Sequence, residues 1–100
     1  MEREICGAIA GKQRIAFDYN GSRHVVEPYV YGLLSDGTLA LKARTLPGRE
    51  TGWWEKPQWL FYDADRISEL SVSSDRFEEA RLTNNLMEGI VDSFCSITTG

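Results

Sequence analysis

One histidine, His24, two cysteines, Cys6 and Cys95, and three prolines are all that this 100-residue chain holds of those types. A single imidazole leaves almost no material for a zinc site or a histidine-based catalytic triad. The cysteines sit one near each end and match no metal or redox spacing. The expectation is two free thiols in a reducing compartment. No apolar run reaches the length of a membrane-spanning helix. The N-terminal "MEREICGAIAGK" lacks the basic start and apolar stretch of a signal peptide. The expected location is therefore the cytoplasm, with no membrane partner. No glycine-rich phosphate loop or metal-ligand spacing appears, so neither an enzyme nor a cofactor is expected.

Excess positive charge is also lacking. The net charge of −4 argues against a nonspecific nucleic-acid binder. The charge is uneven, however. Residues 42–66 carry five basic and four acidic residues, whereas 67–100 carry two basic and six acidic. An anion-attracting surface would draw on the middle third: Lys42, Arg44, Arg49, Lys56 and Arg66. What is present in quantity is ordinary for one small globular domain, with 42% hydrophobic and 26% charged residues.

The order of elements follows from periodicity. Ile5, Ala8 and Ile9 recur at helical spacing, which predicts a helix over 1–12 with Gly11 as its stop. In "RIAFDYNG", Ile15, Phe17 and Tyr19 alternate with polar or small neighbours, the pattern of a half-buried strand. Asn20-Gly21 is a strong hairpin signal. "RHVVEPYVYGLL" returns, and Pro28 marks an edge or a bulge. Asp36-Gly37 is a second turn, followed by the alternating "TLALKAR". "TLPGRETGWWEKPQ" reads as a long loop. "WLFYDA" and "RISELSVS" are two more strands, with Leu70 and Val72 expected inward. Leu86, Ile90, Val91 and Phe94 line one side of a helix predicted over 84–95. The fold class expected is mainly β: a five-stranded small barrel over 13–73 with a helix at each end.

Read together, "RIAFDYNG", "RHVVEPY", the glycine turn before an apolar strand and "DRISEL" resemble a WYL domain, over residues 3 to 81. The likeness is greatest to short stand-alone members, whose C-terminal extension is similar to "NNLMEGIVDSF". It implies an SH3-like or Sm-like barrel and a sensory role. In bacterial transcription regulators such domains bind a ligand, in some cases nucleic acid, and control an attached DNA-binding domain. Two departures stand out. The Trp-Tyr-Leu triplet that names the family falls on Leu39-Ala40-Leu41. The basic residue of the family's ligand surface falls on Asp63, although Asp65, Arg66 and Ile67 keep the pattern.

Each candidate site residue has a plain alternative. Lys42 and Arg44 share a strand face and would grip a phosphate or carboxylate if that face lines a cleft; otherwise they are solvated charges. Arg66 either faces a ligand, as the resemblance implies, or pairs with Asp63 and Asp65. Arg23, Glu27 and Tyr29 lie on one alternate set of the second strand. Glu27 reads as a carboxylate that accepts hydrogen bonds near a bulge. Trp59 begins a strand and is expected in the core. Trp53 and Trp54 are adjacent in a loop, so one folds onto the barrel and the other is free for a ligand or another subunit. Lys56 beside them would complete an aromatic-plus-cation surface.

The expectation is a non-catalytic ligand-sensing or regulatory domain for an anionic or nucleotide-type ligand. Its candidate residues are Arg23, Tyr29, Lys42, Arg44, Trp53, Trp54, Lys56 and Arg66. One alternative is a module that associates with itself or a partner protein through Trp53 or Trp54. Another is a single-stranded nucleic-acid binder.

Overall fold

The computed structural model describes residues 2–45, 59–77 and 88–97. Among them the chain forms one helix and six strands. They are α1 (Glu2–Gly11), β1 (Gln13–Tyr19), β2 (Ser22–Leu34), β3 (Leu39–Thr45), β4 (Trp59–Asp63), β5 (Ser68–Arg76) and β6 (Ile90–Ser96). A single 3₁₀ turn, Ala64–Arg66, joins β4 to β5.

α1 carries Glu2 and Glu4 in its first turn, where carboxylates favour the helix dipole. It buries Ile5, Ala8 and Ile9, the predicted stripe. The residue that ends it in the left-handed region is Lys12 (φ 53°), one beyond the expected Gly11.

Asn20 and Gly21 both take positive φ, 51° and 83°, the pattern of a type I′ turn, and the β1–β2 hairpin closes on Tyr19 opposite Ser22. β2 is the spine of the sheet. One edge pairs with β3 over 26–33; the other pairs first with β1 and then with β6 over 30–34. The β2–β3 register shifts by one residue between Pro28 and Val30, so the proline does mark a bulge. The full order is β4-β3-β2-β1-β5, with β6 added to β2. Every pairing is antiparallel. Among the described residues no pairing joins β4 to β5.

The core lies between α1 and the sheet. Ile5, Ile9, Ile15, Phe17, Val26, Tyr29, Val30 and Leu41 are almost wholly buried. Each large apolar side chain so buried contributes roughly 1.5–3 kcal/mol. Phe77 folds into it, its N–H donating to the Lys12 carbonyl at 2.8 Å.

Four expectations are corrected. Residues 90–96, expected as part of a helix over 84–95, are a strand on β2; 84–87 lie outside the described residues. Ile90, Val91 and Phe94 suit a strand as well as a helix, and the open edge of β2 supplied hydrogen-bond partners that periodicity does not register. Cys6 and Cys95, expected as free thiols, form a disulfide, because β6 runs past α1 and brings their Cα atoms to 5.7 Å. Trp59, expected in the core, is 41% exposed on β4, at the end of the sheet order, with its ring against Tyr29. Val72, expected inward, is exposed on the bulged strand β5. Among the described residues no helix is long and apolar enough to cross a membrane.

Candidate ligand-binding face

Directly paired residues project from the same face of a sheet. On β3 and β4 the pairs are Arg44 with Trp59 and Lys42 with Phe61. On β2 and β3 they are Glu27 with Arg44 and Val30 with Lys42. Arg14 lies one step beyond the Ile15–Val26 pair and reaches Glu27. One face therefore carries a row of Arg14, Glu27, Arg44 and Trp59, and beside it a row of Val30, Lys42 and Phe61.

The first row is built around a carboxylate. Glu27 is buried, with Arg14 Nε 3.7 Å from its Oε2 and Arg44 3.8 Å from its Oε1. These are ion-pair separations, too long for hydrogen bonds. Glu27 Oε1 and Arg14 Nε have no hydrogen-bond partner among the described residues. Burial raises the Glu27 pKa above its ordinary value, while Arg44 and Arg14 pull it down. Two guanidiniums on one carboxylate leave net positive charge, and both arginines are partly exposed.

The second row sets a cation among rings. Lys42 Nζ is 5.5 Å from the Phe61 ring centroid and 6.0 Å from that of Trp59. It donates to the Glu88 carbonyl at 3.3 Å. Lys42 is only 7% exposed, and burial lowers its pKa, with Glu88 opposing. The Phe61 ring is 43% exposed and also lies against Gly89, where a Cβ would come within 2.8 Å of it.

Of the expected site residues, the structure brings Lys42 and Arg44 together on this face. Arg23 is elsewhere. It donates to Asp18 Oδ1 at 3.1 Å, the Glu69 carbonyl at 2.8 Å and Ser71 Oγ at 3.1 Å, tying the hairpin end to β5. These bonds place Arg23 away from Lys42 and Arg44, in an exposed position at the hairpin end. Tyr29 is fully buried, its ring between Trp59 at 4.6 Å and Phe77 at 5.4 Å. Arg66 is exposed in the 3₁₀ turn, beyond the end of β4 opposite Trp59, and makes no ion pair among the described residues. Asp63 caps that turn instead, accepting from the Asp65 N–H at 3.0 Å. Trp53, Trp54 and Lys56 lie outside the described residues.

Sequence reasoning missed Arg14 and the ring pair Trp59 and Phe61. A signal for Arg14 existed: the two-residue turn at Asn20-Gly21 fixes the register that sets it opposite Glu27.

No family model, curated protein or solved structure matches this chain. The site rests on its own geometry.

Proposed function

We propose that this chain is a non-catalytic binding domain, of the small SH3-like or Sm-like barrel kind found in WYL domains, and that it recognises an anionic ligand. The observation that carries the reading is the pairing of two cations on β3, Lys42 and Arg44, with two exposed rings on β4, Trp59 and Phe61. Guanidinium forks grip phosphate or carboxylate oxygens bidentately. Flanking rings offer a flat apolar surface to a base or other planar group. Arg14 adds a second guanidinium beside Arg44, with Glu27 holding both. A nucleotide combines these two features, a charged phosphate and a planar base.

The test is a thermal-shift and calorimetric series with pyrophosphate, ATP and mixed oligonucleotides at low and high salt. Binding to the folded state raises the melting temperature. ATP is expected to stabilise the protein, and Arg44→Ala is expected to remove the effect. No shift with any of these probes would overturn the reading. A steep salt dependence confined to oligonucleotides would favour a single-stranded nucleic-acid binder.

A second reading has its own observation. β4 ends the sheet order, its outer edge has no partner among the described residues, and Trp59, Leu60 and Phe61 are all exposed on it. Such an edge can pair between subunits. Light scattering of the wild type and Leu60→Lys decides it: a dimer that the substitution dissolves supports association through β4.

A further inference from the structure

We propose that the Cys6–Cys95 disulfide is a redox latch on the cationic face. With the bond closed, β6 holds the Glu88–Gly89 turn over Lys42 and against the Phe61 ring; reduction by a dithiol uncovers Lys42. The regulatory meaning rests on the proposed ligand site, whereas the uncovering does not.

The bond joins two elements of unequal anchorage. α1 is fixed by Ile5, Ala8 and Ile9, all within the core. β6 contributes little to it: Val91 is 66% exposed and Phe94 48%. Its inward residues are the half-buried Ile90 and Cys95 and, just past the strand's end, Ile97, whose N–H donates to the Tyr29 carbonyl at 2.8 Å. The β2–β6 ladder is irregular, with register shifts between Tyr31 and Gly32 and between Leu33 and Leu34. A segment with few buried apolar contacts and an irregular ladder opens more easily than the body of the fold. The disulfide ties that segment to the helix.

The turn that β6 carries is the cover. Glu88 and Gly89 immediately precede the strand. The Glu88 carbonyl accepts from Lys42 Nζ, and Gly89 lies against the Phe61 ring. When β6 lifts, both contacts go with it.

The chemistry balances within the pair. One thiolate of the dithiol attacks a sulfur of the Cys6–Cys95 bond and forms a mixed disulfide, and one cysteine leaves as thiolate and takes up a proton. The second thiol of the reductant closes on the first and releases the other cysteine. Two electrons and two protons pass to Cys6 and Cys95, and the dithiol becomes a cyclic disulfide. Both cysteines are only partly buried, so local fraying suffices for access.

The experiment uses the full chain, oxidised and after dithiothreitol, with free thiols counted. Amine acylation read by peptide mass spectrometry follows Lys42, and deuterium uptake follows the backbone. On reduction, Lys42 acylation is expected to rise on the order of tenfold, as local opening exposes it. Uptake should rise over 90–96 and 31–34 and stay unchanged over β1. The Cys6→Ser/Cys95→Ser double variant should show the reduced pattern without reductant. Unchanged Lys42 acylation with both thiols free would overturn the latch. So would uptake rising equally over β1 and β6, which would make the bond a staple of the whole fold. Neither readout needs a ligand, so a protein that binds no anion but uncovers Lys42 on reduction refutes the ligand site and supports the latch.

Discussion

Arg44 sits directly opposite Glu27 across the β2–β3 ladder, its guanidinium 3.8 Å from a carboxylate that solvent hardly reaches. Their meeting depends on the bulge between Pro28 and Val30. Without that extra residue Arg44 would face Pro28, and Glu27 would project from the other side of the sheet. Arg14 approaches the same carboxylate from β1. Charge, register and bulge are one arrangement.

Losing one arginine leaves Glu27 with the other. Arg14→Met or Arg44→Met is expected to cost about 1 kcal/mol, because each guanidinium is partly exposed and screened. The double variant leaves a buried carboxylate uncompensated and is expected to cost about 3–5 kcal/mol, more than the two singles together. Urea denaturation measures all three. Additive losses would show that the two arginines act independently.

Glu27 also makes a pH prediction. Its folded-state pKa is raised, by burial above all, with Arg44 and Arg14 only partly offsetting it. The folded protein therefore keeps the Glu27 proton over a window in which the unfolded chain has released it. Within that window, from the ordinary glutamate value up to the folded value, stability falls as pH rises. Glu27→Gln lacks this dependence. The stability of the wild type relative to Glu27→Gln should decline with rising pH through the window and level off above it. Denaturation at a series of pH values checks the sign, and a difference that grows with pH would contradict it.

At Gly32 the β6 backbone passes close to β2. A Cβ there would run into the Asp92 carbonyl and come within 2.8 Å of the Ser93 Cα, both backbone. Gly32→Ala is expected to cost about 1–3 kcal/mol by overpacking and to raise deuterium uptake over 90–96 first. Gly7→Ala is the control. Its Cβ would meet nothing within 4 Å on an exposed position of α1, and it should gain roughly 0.5–1 kcal/mol from helix propensity.

Tyr62 buries its hydroxyl with no hydrogen-bond partner among the described residues, amid Phe17 at 5.0 Å, Tyr19 at 5.1 Å and His24 at 5.6 Å between ring centroids. Burial raises its pKa. Tyr62→Phe removes an unsatisfied group and keeps the ring, so stability should rise by up to about 1 kcal/mol. A loss of stability in thermal and urea melts would reveal a partner for the hydroxyl.

Much of the fold was legible. The α1 stripe, the β1 alternation, the Asn20-Gly21 turn and the Pro28 irregularity are local signals, each set by side-chain period or backbone sterics. The face was half legible. Lys42 and Arg44 stand two apart on one strand, so their common face follows from the pleat. The burial of Tyr29 was not legible, because a residue inside a bulge leaves the alternation. The partners of Arg23 were not legible, because the Glu69 carbonyl and Ser71 are both distant in sequence.

Taken by itself, the sequence determined the mainly β character, the helix at the start, the hairpin registers up to the first bulge and the shared face of the two β3 cations. These depend on interactions within a few residues. Only the tertiary structure decided that residues 90–96 are a strand, that Cys6 meets Cys95, that Trp59 stays exposed and that Glu27 gathers two arginines. Each requires knowing which edge of β2 lies open and where its register slips, and those facts belong to the paired sheet.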